Sequence, residues 1–156
     1  MEIKVTRFRA DRAEAAAELW ERFLDLADPH PLREFLADER HFFVAASISG
    51  TWAGYAYGYE LIRPDRGSML FLYSLGVLPQ HRRLGVGTAL LSFLRTLAES
   101  AGMRELFVFT TRSNVDAVEF YKASGGIMEN SDDLLFVFPT DPHGPGRIGR
   151  RAEQGG

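Results

Sequence analysis

The run Gln80-His81-Arg82-Arg83-Leu84-Gly85-Val86-Gly87-Thr88 constrains this chain more than any other segment. It joins an apolar stretch, residues 69–77, to a stretch with Leu90, Leu91, Leu94 and Leu97 at helical spacing. Gly85 and Gly87 let the backbone turn tightly and approach a ligand closely. Successive N–H groups then point into one concavity at the positive end of a helix dipole. Arg82 and Arg83 add positive charge beside it. The segment reads as a diphosphate cradle. A P-loop would place Lys and then Ser or Thr after the glycines, but Thr88 follows Gly87 directly. A dinucleotide fingerprint needs a third glycine at position 90, which is Leu. The plain alternative is a glycine-softened turn with surface arginines.

The rest of the sequence limits what such a loop can serve. At 156 residues the chain fits one domain, residues 1–138, followed by a Gly/Pro/Arg-rich tail, 139–156, expected to be mobile. The 12 Phe supply a sizeable core. Lys and Arg total 18 against 21 Asp and Glu, a formal charge of -3, which argues against nucleic acid and weakly favours a cationic partner. Cysteine is absent, so thiolate metal sites, disulfides and cysteine nucleophiles are excluded. The four His (30, 41, 81 and 143) show no metal-ligand spacing, and no G-x-S-x-G elbow occurs. No stretch reaches the ~18–20 apolar residues of a membrane span. The first residues lack the apolar block of a signal peptide, so a cytoplasmic protein is the simplest expectation.

Periodicity predicts the element order. Residues 2–9 alternate as a strand, and Asp11 is placed to cap a helix running to about Leu26. Pro29 and Pro31 precede a second short helix. Residues 41–49 and 52–62 read as a hairpin turning at Gly50-Thr51, and 69–77 as a central strand apolar on both faces. A helix over 87–101 ends at Gly102. A short strand over 106–110 and a helix over 114–124 follow, with Ser113 and Asp116 at capping-box spacing. Residues 134–138 supply the last strand. The expected architecture is an α/β fold, a mixed β-sheet with helices on both faces.

Strand 69–77, the R-R-x-G-x-G loop, an amphipathic helix, a short strand and then Asn114-xx-Ala117-xx-Phe120-Tyr121 form an ordered set. With it the chain closely resembles the GNAT superfamily of acyl-CoA N-acyltransferases over residues 1–138. Arg82, Gly85 and Gly87 match the family's R/Q-x-x-G-x-G/A signature, and Asn114 and Tyr121 match its later Asn and Tyr. The resemblance implies acetyl-CoA as co-substrate. Its pyrophosphate would lie on the amides of Arg83, Leu84, Gly85, Val86, Gly87 and Thr88. Its pantetheine arm would lie where strands 69–77 and 106–110 splay, pairing with Leu75, Gly76 and Val77. An N–H near Val77 would polarise the acetyl carbonyl. Asn114 would contact the pantetheine amide, with Ala117 and Phe120 beside it on the same helix. Tyr121 would protonate the departing thiolate; its plain alternative is a packing tyrosine with a wet hydroxyl. The resemblance also makes a homodimer one option.

The acceptor must attack as a free amine, and deprotonating an alkylamine at pH 7 costs about 4–5 kcal/mol. Candidate bases are Glu60, Asp65, Glu129, Asp132 and Asp133, with Asp141 further on; clustered near the acceptor they would attract a polyamine. Within the superfamily the chain is most similar to aminoglycoside 3-N-acetyltransferases. Tyr73-Ser74-Leu75-Gly76-Val77 followed by His81-Arg82-Arg83 resembles their Y-D-L-A-V…H-R-R block, and 136–142 resembles their ending. Ser74 stands where those enzymes carry Asp, and a serine cannot replace a carboxylate as base or cation anchor. Ser74 therefore joins Glu60 and Tyr121 as a catalytic position to be tested. Gly126, where the superfamily usually has an aromatic, is a second departure, expected to affect packing. The expected reaction is direct attack in a ternary complex on a small cationic amine. An acetyltransferase for another small amine or a protein amine, and a non-catalytic acyl-CoA-binding module, stand beside it.

Overall fold

A computed structural model of the chain describes residues 1–24 and 30–140. Strand β1 (Ile3–Phe8) runs into a 3-10 turn, Ala10–Arg12, and then helix α1 (Ala13–Leu24). Asp11 thus sits inside a turn rather than at the expected cap. The expected helix end near Leu26, and Pro29, lie outside the described residues. Pro31 is the second residue of α2 (His30–Ala37), where its missing N–H breaks no helical hydrogen bond. Strand β2 (His41–Ile48) turns into β3 (Thr51–Arg63). Both Ser49 and Gly50 have positive φ, 48° and 85°, the pattern of a two-residue turn whose twist suits a hairpin. That turn sits one residue earlier than the expected Gly50-Thr51.

Strand β4 (Gly67–Val77) leads through the glycine loop to α3 (Val86–Ser100), β5 (Leu106–Val108) and α4 (Val115–Ala123). The five strands lie in sequence order in one sheet. Neighbours from β1 to β4 are antiparallel, and β5 is parallel to β4 because α3 carries the chain across. The fold is the expected α/β type, a mixed sheet with helices on both faces. Leu90, Leu91, Leu94 and Ala98 of α3 are buried against one face, on Val44, Ala56, Leu70 and Leu72. The other face is aromatic. There Trp20 of α1 sets its ring edge-on to Tyr55, 5.1 Å between centroids, and Phe35 of α2 meets Tyr57 at 5.7 Å.

Two irregularities in β4 create the space that matters. It pairs with β5 only at Leu70, Phe71 and Leu72, yet pairs with β3 as far as Val77. Beyond Leu72 its outer edge therefore has no strand partner among the described residues. The β3–β4 register also slips, from Tyr57 opposite Ser74 to Gly58 opposite Leu72. The extra residue is on β4, a β-bulge that breaks the in-out alternation. Tyr73 and Ser74 consequently both face the aromatic layer, Tyr73 stacked on Tyr57 and Ser74 bonded to Tyr55. Gly58 makes this possible: a Cβ there would lie 2.2 Å from the Phe71 carbonyl oxygen.

The expected last strand is not formed. Residues 134–138 are exposed and pair with no strand among the described residues. Their apolar alternation is real, but a strand also needs a partner for its N–H and C=O groups. The expected strand over 106–110 is likewise shorter, ending at Val108.

Candidate active site

Gly85 occupies the N-cap of α3 with φ 87°, a left-handed conformation that glycine adopts without steric cost. Arg83, two residues earlier, is also left-handed at φ 60°, which costs a residue with a Cβ about 1–2 kcal/mol. Alternating handedness of this kind turns consecutive N–H groups toward one point. No side chain caps the helix, so the first-turn amides of Val86, Gly87 and Thr88 have no capping acceptor. A diphosphate fits that donor set by charge and by hydrogen bonding. Gly87 has a further duty. A Cβ there would sit 3.3 Å from the Phe120 ring, so the glycine lets α4 close onto the start of α3.

Arg82 and Arg83 differ in role. The Arg82 Nε donates to the Val77 carbonyl at 3.4 Å and ties the loop to the end of β4. Arg83 and Leu84 are exposed, and neither arginine meets a carboxylate among the described residues. Leu75, Gly76 and Val77 are buried along the open edge of β4. Gly76 leaves room for Tyr55, whose ring would lie 2.6 Å from a Cβ at that position.

Asn114, not Ser113, caps α4: its Oδ1 accepts from the Ala117 amide at 3.2 Å. The Ser113 hydroxyl is 3.2 Å from that of Thr111 instead. Ala117 is buried, and Phe120 and Tyr121 pack against the α3-side core. Burial pushes the Tyr121 phenol up to about 12, so it is protonated at every working pH. Gly126 closes the helix. Its amide donates to the Tyr121 carbonyl at 2.9 Å, and a Cβ there would approach that oxygen to 2.8 Å. The missing aromatic thus belongs to the turn geometry.

Ser74 and the carboxylates are not brought together. The Ser74 hydroxyl is buried, 3.3 Å from that of Tyr55, whose phenol burial also pushes up. Asp65 is in the β3–β4 turn, nine residues along β4 from Ser74, or roughly 25–30 Å at the rise of a strand. It is bound by Arg63 at 2.6 Å, which holds its carboxyl below the usual range. Glu60 pairs in register with Leu70 and, by strand alternation from Tyr59, faces the α3 side. Glu129, Asp132 and Asp133 are exposed in the unpaired segment, where Asp133 accepts from Asn130. The expected acidic cluster is therefore absent among the described residues, and Asp141 lies outside them. In its place stands an aromatic wall beside Ser74. Tyr57, Tyr59 and Tyr73 are half-buried, with centroids 5.4 Å (Tyr57–Tyr73) and 5.8 Å (Tyr59–Tyr73) apart. The Tyr55-x-Tyr57-x-Tyr59 spacing signals that wall in the sequence, but the β4 bulge that completes it leaves no sequence mark.

The fourth and fifth strands pair only at Leu70–Leu72, and the uncapped glycine loop follows the open end of the fourth. Residues 8–125 match the acetyltransferase (GNAT) family, and the chain belongs to it. It is 26% identical over 114 residues to a probable N-acetyltransferase, san, of Drosophila melanogaster, covering 65% of this chain and 62% of that one. It is 30% identical over 100 residues to an N-alpha-acetyltransferase of Sulfurisphaera tokodaii, covering 59% and 60%. The matches span about three fifths of those relatives' lengths. Among solved structures, an aminoglycoside acetyltransferase, HMB0005, from an uncultured soil metagenomic sample superposes with a TM-score of 0.78 at 22% identity, covering 90% of this chain and all of that one.

Proposed function

We propose that the protein transfers the acetyl group of acetyl-CoA to a primary amine by direct attack in a ternary complex. The observation that carries this reading is the open edge of β4 running from Tyr73 to the uncapped loop at Gly85. An extended amide-bearing arm pairs with such an edge as a strand does, while a diphosphate occupies the loop amides from Arg83 to Thr88 with Arg83 beside them. Bound acetyl-CoA supplies the activated acyl group as a thioester.

The chain's own groups do the rest. The edge amides near Leu75 and Val77 donate to the carbonyl oxygen as charge develops on it. Asn114, whose side-chain oxygen caps α4, contacts the pantetheine amide. Tyr121 hydrogen-bonds the sulfur as the C–S bond breaks. A phenol at about 12 does not hand its proton outright to a thiolate near 8.5. The C–N bond forms as the C–S bond breaks, and the proton that nitrogen releases passes through water to the departing sulfur, so the step balances without Glu60, which faces the other side of the sheet.

The leading acceptor is a small cationic amine of the aminoglycoside type, at its 3-amino group. Support comes from the 73–77 and 81–83 segments and from the fold shared with the metagenomic aminoglycoside acetyltransferase. A second reading, a peptide or protein α-amine, is favoured by an acceptor side that is aromatic rather than acidic and by the S. tokodaii relative. Tyrosine faces attract a single ammonium group, whereas a polyamine calls for several carboxylates. The test is acetyl-CoA-dependent thiol release, with product masses, across aminoglycosides, polyamines, amino acids and peptides. Turnover of aminoglycosides supports the first acceptor and turnover of peptides alone the second. CoA binding without thiol release from any amine would reduce the protein to a binding module.

A further inference from the structure

Tyr55 is a buried phenol to which the mechanism so far gives no task. Its ring lies against Gly76 and is boxed in by Trp20 and Phe23, at 5.1 Å and 5.0 Å between centroids. Neither of those rings accepts a phenol proton. Among the described residues the Tyr55 hydroxyl meets one partner, the Ser74 hydroxyl at 3.3 Å. A buried donor left without an acceptor is costly, so the phenol proton is directed at Ser74 Oγ. Burial also pushes the phenol up, and Tyr55 keeps that proton at working pH.

Donation by Tyr55 fixes what Ser74 has left to offer. A hydroxyl that accepts one hydrogen bond still has its own proton and a second lone pair. That proton is turned away from Tyr55. The β4 bulge sets Ser74 on the aromatic face beside Tyr73, just where β4 has lost its β5 partner. Leu75, the next residue, begins the stretch assigned to the thioester arm. Carboxylates are not at hand: Asp65 is held by Arg63 in the distant turn, and Glu60 faces the α3 side. A polar pair of hydroxyls therefore stands where the acceptor nitrogen must lose a proton, without a base beside it.

We propose, resting on the acetyl-transfer reading, that Tyr55 positions the Ser74 hydroxyl and that Ser74 holds the water relaying the nitrogen's proton to sulfur. Ser74 donates to the water oxygen, which leaves that water one lone pair for the amine N–H. As the C–N bond forms and the C–S bond breaks, the water accepts the nitrogen's proton and gives one of its own to sulfur. Tyr55 and Ser74 keep theirs. Tyr55 touches neither substrate and acts only through Ser74. The 3.3 Å separation is long for two hydroxyls, as catalytic hydrogen bonds often are before substrate closes the site.

A double-mutant cycle on Tyr55→Phe and Ser74→Ala in the full chain tests this. The amine probe is the one turned over fastest among the aminoglycosides, polyamines, amino acids and peptides. Each single variant is expected to lower kcat about 5–10-fold, the scale of one hydrogen bond. The acceptor KM and the Kd for CoA should stay near wild type. The double variant should be no slower than Ser74→Ala, because one residue works through the other. Tyr55→Phe keeps the packed ring, so its kcat decides even if Ser74→Ala fails to fold. Wild-type kcat in Tyr55→Phe overturns the proposal, as do kcat losses that multiply in the double variant. A loss confined to KM or to CoA affinity assigns Tyr55 to packing and overturns it too. A wild type that binds CoA but releases no thiol with any amine removes the acetyl-transfer reading itself, and the relay with it.

Discussion

Tyr121 shows how one residue can be named from the sequence while its chemistry waits for the fold. Its spacing from Asn114 is legible; its burial is not, because that depends on α4 closing over Gly87. Tyr121→Phe is expected to lower kcat by about 10–10²-fold, the scale of one lost hydrogen bond to a charged sulfur at about 1.5–3 kcal/mol. The Kd for acetyl-CoA should change little, as steady-state rates and calorimetry together would show. The pH dependence has a definite sign. A phenol raised from 10 to about 12 favours the fold fully below pH 10, and that contribution is lost as pH rises toward 12. Between pH 9.5 and 11, wild type should lose about 1 kcal/mol of unfolding free energy more than Tyr121→Phe, at ~1.36 kcal/mol per unit. Urea melts at the two pH values measure the difference. Ser74 was legible only as a departure. That its hydroxyl is taken up by Tyr55 follows from a bulge the sequence does not mark.

At the scale of elements, the order of strands and helices along the chain as far as α4, the amphipathic α3 and the glycine loop were readable, because each rests on a local period or a local turn requirement. The cap of α4 was misplaced by one residue. Ser113 and Asn114 both favour that position, and only the backbone decides that Asn114 bonds the Ala117 amide. The β3–β4 bulge was not readable, since it arises from pairing between strands. Gly58 now accounts for it, and Gly58→Ala tests the account. With the Phe71 carbonyl in the way, the substitution should destabilise by about 3 kcal/mol, toward the upper end for overpacking, in chemical denaturation. Gly85→Ala meets only ordinary contact, 3.6 Å from Ile3 Cδ1. Its penalty is therefore conformational, about 1–2 kcal/mol for a left-handed alanine, accompanied by weaker CoA binding.

Across the whole molecule, the acidic cluster expected near the acceptor is dispersed among the described residues. Asp65 is neutralised at a distant turn, Glu60 lies on the opposite face from Ser74, and Glu129, Asp132 and Asp133 sit on an exposed arm. Sequence distance cannot show which carboxylates share a face once strands pair and bulge. The last strand failed for a related reason: residues 134–138 keep their apolar alternation, but no strand among the described residues pairs with them. What survives intact is the correspondence between one loop and one open strand edge, on which the functional reading stands. Calorimetric titration of CoA into wild type and Arg83→Ala, at low and high salt, tests it most directly. Saturable one-to-one binding is predicted, weakened about tenfold in Arg83→Ala and less salt-dependent there, because an exposed cation is lost beside a diphosphate. No saturable binding, or binding indifferent to Arg83 and to salt, would contradict the assignment of the loop.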